Sequence, residues 1–485
     1  MDGSLALWDI ITIIGYLGLC VAIGIWAGGR PDSSEQYFTA SRSVPWWAVS
    51  FSIVATETSM LTVISVPAVA YLGTLEFLQI AFGYVLGRIA IAVWMLPRYF
   101  QGAQTTAYTF FKERFGTRFQ QSISVVFLIT RLLADGVRLF GAAIPLKLVT
   151  GLDYPTSVAI IAVLTLAYTF YGGLKSVIWI DVLQLVLYLV GGFLIISFVQ
   201  QSFSGSVTQM MTEANKFHLI NWPGSFSELF SVPYNIVGAL IGGFFLTLAS
   251  HGTDHLIVQR LLACPSLKDA RKALVTSGFL VLGQFLLFLW VGFHLYAYFD
   301  GQSPQALNLT RADEILPWYV VNVLPTGLSG LIIAGLFAAA MSTLSSSLAA
   351  LSSSTLFDLI PQLSDHPKAL VYSRWSMVAW TLVFVGFAVS FSSMNNPIIE
   401  LGLGIAGFTY GGLLGAFFLG QFTNVSTRSA VIGLWVSVIG MTLLITFGNI
   451  AWPWYTFFGL LIYLTTALLI DPFIHQKQDP NVIHD

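Results

Sequence analysis

A run of small and hydroxyl residues, Ala338-Ala339-Ala340-Met341-Ser342-Thr343-Leu344-Ser345-Ser346-Ser347-Leu348, lies inside a long apolar stretch. Wound as a helix, it puts Ala339, Ser342 and Ser346 on one stripe, with Thr343 and Ser345 beside it. Hydroxyl oxygens are hard ligands suited to a small desolvated alkali cation, by the logic that gives Ca²⁺ and Mg²⁺ their oxygen shells. The same residues would also make a small-residue packing seam, so composition leaves both readings open. A second hydroxyl run, Ser352-Ser353-Ser354-Thr355, sits nearer the helix end and reads as packing.

Ionisable residues inside apolar runs are the next candidates, since each costs at least about 2.5–3.5 kcal/mol at mid-membrane. Glu57 stands in Val54-Ala55-Thr56-Glu57-Thr58-Ser59-Met60, a polar segment poor in helix formers. A helix broken there frees backbone carbonyls and amides, which lipid tolerates only where they line a cavity or bind an ion. Ser250-His251-Gly252-Thr253-Asp254-His255 is a matching interruption. His251 and His255 stand at i, i+4, but the glutamate and third ligand of a zinc protease pattern are missing. Asp181, in Trp179-Ile180-Asp181-Val182-Leu183-Gln184, needs a cation, a proton or an arginine. Three arginines, Arg88, Arg131 and Arg138, also fall in apolar runs. Asp135, at i+4 from Arg131 and i−3 from Arg138, can neutralise one, and Glu57 another across helices. The alternative is that one guanidinium receives a solute carboxylate bidentately.

The elements that must position these groups are membrane helices. The 485 residues carry 21 basic and 23 acidic side chains, 9% charged against about 25% in a typical soluble domain. The hydrophobic share is 56% and the mean hydropathy +0.79. This excludes a soluble enzyme, a disordered chain and, at net charge −2, a basic nucleic-acid binder. Cys20 and Cys264 read as free thiols. Apolar runs of about 20 residues predict thirteen spans, at 6–28, 45–70, 75–97, 119–149, 155–172, 176–202, 234–259, 272–299, 326–356, 368–394, 398–420, 427–448 and 451–471. The first is too long for a signal peptide, and Asp2 replaces a basic leader.

With the N-terminus outside and the C-terminus cytoplasmic, the inside holds fifteen basic residues: Arg30, Arg42, Arg98, Lys112, Arg114, Arg118, Lys175, Arg260, Lys268, Arg271, Lys272, Lys368, Arg374, Arg428 and Lys477. The outside holds only Lys147, Lys216 and Arg311, as the positive-inside bias requires. Trp46, Trp47, Trp94, Tyr99, Trp318, Tyr319, Trp452 and Trp454 fall near predicted span ends. The outer connectors 203–233 and 300–325 each hold an amphipathic helix, Val207 to His218 and Ala312 to Leu324.

Assembled, these residues resemble the sodium:solute symporter family. The resemblance rests on Tyr37-Phe38 with Ser41-Arg42, on Tyr171-Gly172-Gly173-Leu174-Lys175-Ser176-Val177-Ile178-Trp179-Ile180-Asp181, on Val258-Gln259-Arg260, and on the Ala339 to Ser346 hydroxyl helix. It implies an all-α, LeuT-like core of two five-helix inverted repeats, 45–202 and 234–420. The first helix and its linker (1–44) precede the core, the outer loop 203–233 joins its halves, and two helices with a cytoplasmic tail (421–485) follow.

The resemblance also implies a first sodium site at Ala55, Thr58 and the Ala339 carbonyl with the Ser342 and Thr343 side chains. A second sodium site would use Asp181 with Ser342, Ser345 and Ser346. For the solute, the residues after the break, Ser59 and Thr62, join Phe77, Gln79, Arg131, Arg138, Asp254 and His255 as candidates. Ala134 stands where sialic acid carriers of the family place a carboxylate-binding arginine, with Arg131 a turn away. The expected activity is sodium-coupled import of a small organic solute (a sugar, a sialic acid or another organic acid) across the inner membrane, with no organic cofactor and no enzymatic activity, by a monomer. A proton-coupled symporter and a passive solute channel are the alternatives. A solute sensor would need an output domain, for which the short polar tail leaves no room.

Overall fold

The structure, a computed structural model, describes residues 6–29, 31–101, 106–150, 152–309, 311–390 and 398–475, except the side chains at 61, 140–142, 144, 145, 147–150, 398–408 and 475. Arg30, Lys477 and the side chain of Lys147, all used above to orient the chain, lie outside the described residues. Every regular element among the described residues is helical.

Fifteen helices carry the architecture: α1 Leu7–Gly28, α2 Trp46–Glu57, α3 Met60–Leu72, α4 Leu75–Tyr99, α5 Thr117–Thr150, α6 Tyr154–Ser202, α7 Val207–Glu213, α8 Ile236–Gly252, α9 His255–Leu262, α10 Leu267–Tyr298, α11 Leu328–Ser354, α12 Ala369–Ser390, α13 Ile398–Phe422, α14 Thr427–Phe447 and α15 Tyr455–His475. Among the described residues, nine helical stretches are long and apolar enough to cross a membrane, and the bent α2–α3 pair makes a tenth.

α6 runs 49 residues, roughly 70 Å at 1.5 Å per residue, more than twice a hydrocarbon core. It is two spans joined at Gly173, whose φ of 57° and ψ of −147° break the helix between the stretches expected at 155–172 and 176–202. Only glycine suits that position, because the Tyr37 carbonyl packs where a Cβ would stand. Tyr37 also donates its hydroxyl to the carbonyls of Thr169 and Phe170, both at 2.9 Å. Gln259 donates to the Phe38 carbonyl at 3.0 Å. The separated sequence stretches that carry the family resemblance are therefore neighbours in space.

α11 is the central element. Nearly all of its residues are buried, and α1, α5, α6 and α12 pack around it. Asp9, near the start of α1, accepts the backbone N–H groups of Gly327 (2.7 Å) and Gly330 (2.8 Å) and the Ser329 hydroxyl (2.7 Å). A carboxylate at that end meets the positive pole of α11 and satisfies its free amides.

Both expected breaks occur. α2 stops at Glu57, Thr58 and Ser59 are extended, and the chain turns by 66° into α3. α8 stops at Gly252 and α9 restarts at His255, with Asp254 as its N-cap. The connectors 203–233 and 300–325 hold α7 and a short helix over Ile315–Asn322, both shorter than expected. Tyr99, Tyr319 and Trp454, expected at the bilayer edge, are buried instead. Tyr99 donates to the Gly252 carbonyl at 2.6 Å, and Trp454 to that of Leu229 at 2.9 Å.

Candidate functional site

A cavity of about 640 Å³ opens beside the α2–α3 break. Its wall runs from Glu57, Thr58, Ser59 and Thr62 up α3 to Leu72, and reaches Ala312 and Asp313 in the 300–325 connector. At the break, the hydroxyls of Thr58 and Ser59 bond nearby backbone groups. The Thr58 hydroxyl turns back to the Val54 carbonyl at 2.8 Å, and Ser59 caps α3 by accepting the Thr62 N–H at 3.4 Å. Gln284 of α10 donates its side-chain amide to the Thr58 hydroxyl at 2.8 Å, pinning the break from the side.

Two charge clusters bound the cavity. In the first, Arg88 of α4 pairs with Oε2 of Glu57 and donates to Ser277 (3.1 Å) and to Nε2 of His251 (2.9 Å). An arginine only donates, so His251 accepts at Nε2 and keeps its proton on Nδ1, 2.8 Å from the Ser250 hydroxyl. In the second, Arg131 pairs with Oδ2 of Asp254, which also accepts the Tyr410 hydroxyl at 3.0 Å. Asp135 lies between Arg131 (3.5 Å) and Arg138 (3.0 Å) and accepts the Ser347 hydroxyl.

Behind α2 lies a third cluster, fully buried. Asp181 accepts the Ser342 hydroxyl on Oδ1 at 2.6 Å. Its Oδ2 accepts Ser52 at 2.5 Å and Nη2 of Arg260 at 3.1 Å. Arg260 also reaches Ser52 (2.9 Å), the Leu256 carbonyl (2.7 Å) and the Ser346 hydroxyl. Ser345 and Ser346 both donate to the Ser342 carbonyl, at 3.0 and 2.6 Å. Thr56 touches Ser346 at 3.2 Å, which closes the end of α2 against α11.

A sequence profile described as "Sodium:solute symporter family" matches residues 37–440, most of the chain. The chain belongs to the sodium:solute symporter family. Among its relatives are the sodium/sialic acid symporter NanT of Aliivibrio fischeri, 28% identical over 98% of this chain and 95% of that one. The sodium/sialic acid symporter SiaT of Proteus mirabilis is also 28% identical, over 89% and 88%. A solved structure, the substrate-bound outward-open state of a Na⁺-coupled sialic acid symporter, superposes with a TM-score of 0.85 at 25% identity, over 96% of this chain and 98% of that one. The fold is thus the LeuT-like one, the activity is sodium-coupled symport of an organic solute, and Na⁺ is the coupling ion. As a symporter of this family, the protein is a multi-pass membrane transporter and not an enzyme.

The residues expected to do the family's work divide sharply in this structure. Thr58, Ser59, Thr62, Phe77, Arg131 and Arg138 all reach the cavity wall. Gln79 does not: its amide is spent on the carbonyls of Glu76 (3.0 Å) and Tyr234 (2.8 Å) and on the Asn221 N–H (3.3 Å), so it ties down the 203–233 connector. Asp254 lies behind Arg131, and its Oδ1 caps α9 through the Leu256 N–H at 3.0 Å. His255 points away, between the Ala107 N–H (3.3 Å) and Ser353 (3.2 Å).

For the ion-binding candidates, Ala55, Ala339, Ser342 and Thr343 are all buried, and Thr343 donates to the Ala339 carbonyl at 3.2 Å. Arg260, counted above only as a basic residue of an inner span end, is fully buried and paired with Asp181. Sequence reasoning missed Ser52, Tyr410 and Gln284 as parts of these clusters. Ser52 had a readable signal, four residues from Thr56 on the same face of α2; the tyrosine and glutamine had none.

Proposed function

We propose that this symporter imports a carboxylate-bearing organic solute together with Na⁺, and that the cavity is its solute site in an outward-open state. The observation that carries this reading is Arg138. Its guanidinium is 30% exposed on the cavity wall and spends a single hydrogen bond on Asp135 among the described residues. Four N–H donors remain to receive a carboxylate, with geometry suited to a bidentate pair. The sialic acid carried by the relatives is itself an acid, which agrees.

Sodium would bind beside this site. Ala55 and Thr58 at the broken end of α2, with the Ala339 carbonyl and the Ser342 and Thr343 hydroxyls on α11, form the first ion site. Asp181, Ser342, Ser345 and Ser346 form the second. Ser342 is common to both and already donates to Asp181, so ion occupancy at one set changes the ligands of the other. An ion drawing the α2 end onto α11 would favour the state whose cavity fits the solute, which is coupling by differential affinity.

The two breaks, at Thr58-Ser59 and Thr253-Asp254, support repeats spanning 45–202 and 234–420, each opening with a discontinuous helix. The cavity mouth lies on the side of connectors 203–233 and 300–325. That side is outside if the basic-residue bias holds, with the N-terminus outside, the C-terminus cytoplasmic and the protein working as a monomer in the inner membrane. The test is solute uptake into proteoliposomes at fixed pH. Uptake that needs a Na⁺ gradient, stops in choline and weakens in Arg138→Gln supports the reading. Uptake driven by a proton gradient alone, or flux indifferent to any gradient, overturns it.

A further inference from the structure

Glu57 is a carboxylate in the wall of the cavity that the Arg138 guanidinium also lines, and the carboxylate of a solute cannot pair with it. Its side chain is 20% exposed toward the cavity. Oε2 is occupied by Arg88, with His251 3.6 Å away. Oε1 takes no hydrogen bond among the described residues, and on a cavity wall it is free to accept one from a solute. His251 cannot supply it, because its remaining proton is directed at Ser250.

The end of α2 adds to the same polarity. Glu57 is the last residue of that helix, where the dipole is negative and carbonyls point into the break. The wall at this end therefore attracts positive charge, while Arg138 at the other cluster attracts negative charge. Between them the clusters balance: Glu57 pairs with Arg88, Arg131 with Asp254, and Arg138 with Asp135. Asp313 is the other acid of the wall, at the cavity mouth. A net anion at this site sets its charge against the open oxygen of Glu57. A zwitterion carries a group complementary to each of the two and leaves the local balance unchanged.

Resting on the reading of the cavity as the solute site, we infer that the transported solute is a zwitterion, an amino acid or close analogue whose ammonium group is received by Oε1 of Glu57 and whose carboxylate is received by Arg138. Aromatic residues, Phe77, Tyr84, Phe285 and Trp452, line the rest of the wall and would enclose an apolar side chain.

The experiment uses the purified full chain in Na⁺ buffer. Thermal stabilisation, and competition for Na⁺-driven uptake, are measured for the common amino acids and proline against the 2-hydroxy acids of the same skeleton. The expected result is that at least one amino acid competes and stabilises, and that its hydroxy analogue is at least tenfold weaker. In Glu57→Gln that ratio falls below about threefold. Because the ratio is read first on the wild type, a variant that fails to fold does not remove the test. Sodium-driven uptake of hydroxy or oxo acids at equal or better affinity overturns the inference and leaves the symporter reading standing. So does a panel in which only neutral sugars or sialic acids respond. Absence of any sodium-dependent flux overturns both.

Discussion

Nη2 of Arg260 lies 3.1 Å from Oδ2 of Asp181 and also bonds Ser346, so the chain's own cation engages two of the four side chains proposed for a second sodium ion. Both partners are fully buried. A sodium ion entering at these ligands must displace the guanidinium or share the carboxylate with it. Arg260→Gln leaves Asp181 without its cation, which costs about 3–5 kcal/mol when no ion replaces it. The expected outcome is a variant with a lowered melting temperature in choline that recovers steeply with added Na⁺, and about tenfold tighter Na⁺ activation. A melting temperature no more sodium-dependent than that of the wild type contradicts this.

Thr343→Val keeps shape and burial while removing a hydroxyl proposed to ligate the first ion. The half-saturating Na⁺ concentration for uptake is expected to rise about tenfold, equivalent to about 1.4 kcal/mol of lost ligation, and Thr343→Ser to restore it. Sodium titration of uptake reads this directly; an unchanged value removes Thr343 from the site.

Arg131, Asp254 and Tyr410 form one buried network, joined by the Arg131–Tyr410 contact at 2.8 Å and the Tyr410–Asp254 contact at 3.0 Å. Asp254→Ala leaves the buried Arg131 only the longer pairing with Asp135, at 3.5 Å, and is expected to cost about 3–5 kcal/mol. Tyr410→Phe removes hydrogen bonds to charged partners, worth about 1.5–3 kcal/mol. Thermal unfolding of the two variants in detergent checks the order, and a Tyr410→Phe loss as large as that of Asp254→Ala would contradict it.

At Gly173, φ of 57° and the packed Tyr37 carbonyl leave no room for a side chain. Gly173→Ala is expected to lose at least about 1–3 kcal/mol from backbone strain alone, with further cost from the contact. A melting temperature equal to that of the wild type would show that the break relaxes.

Lys216, in the 203–233 connector, donates to the carbonyls of Ala70 (3.2 Å), Tyr71 (2.8 Å) and Gly73 (2.9 Å) at the end of α3. Burial pushes its ammonium down from 10.5 to about 8. Between those values the folded chain holds fewer protons on this group than the unfolded chain, so stability gains with rising pH. The stability of the wild type relative to Lys216→Met is therefore expected to increase from pH 8 to pH 10.5, and to be flat below that window. The opposite slope in paired melting curves contradicts the burial argument.

Much of the fold was legible because lipid imposes a severe rule. Apolar runs have to be helices, polar interruptions have to be breaks, and both expected breaks lie where Thr56–Ser59 and Gly252–Asp254 interrupt the pattern. Arg260 shows the limit of that reading. Counting charges names no partner for it, since nothing local says that the short helix His255–Leu262 buries its arginine on Asp181, 79 positions earlier. Gln79 shows the other side, a polar residue in a promising place whose amide is consumed by the backbone carbonyls of Glu76 and Tyr234.

By itself the sequence determined that the chain lives in a membrane, where its helices break and which hydroxyls and carboxylates are too costly to be idle. These follow from composition and local periodicity, because the cost of a polar group in lipid depends on its position along the chain. Partnership was decided only by tertiary structure. Which arginine neutralises Glu57, Asp135, Asp181 or Asp254, and which keeps donors for a solute, depends on contacts between helices far apart in sequence. Arg131 and Arg138 sit seven residues apart on the same helix, yet one is spent on Asp254 and Tyr410 while the other keeps an open guanidinium. That difference comes from which helix packs against each turn of α5, and local sequence carries no record of it.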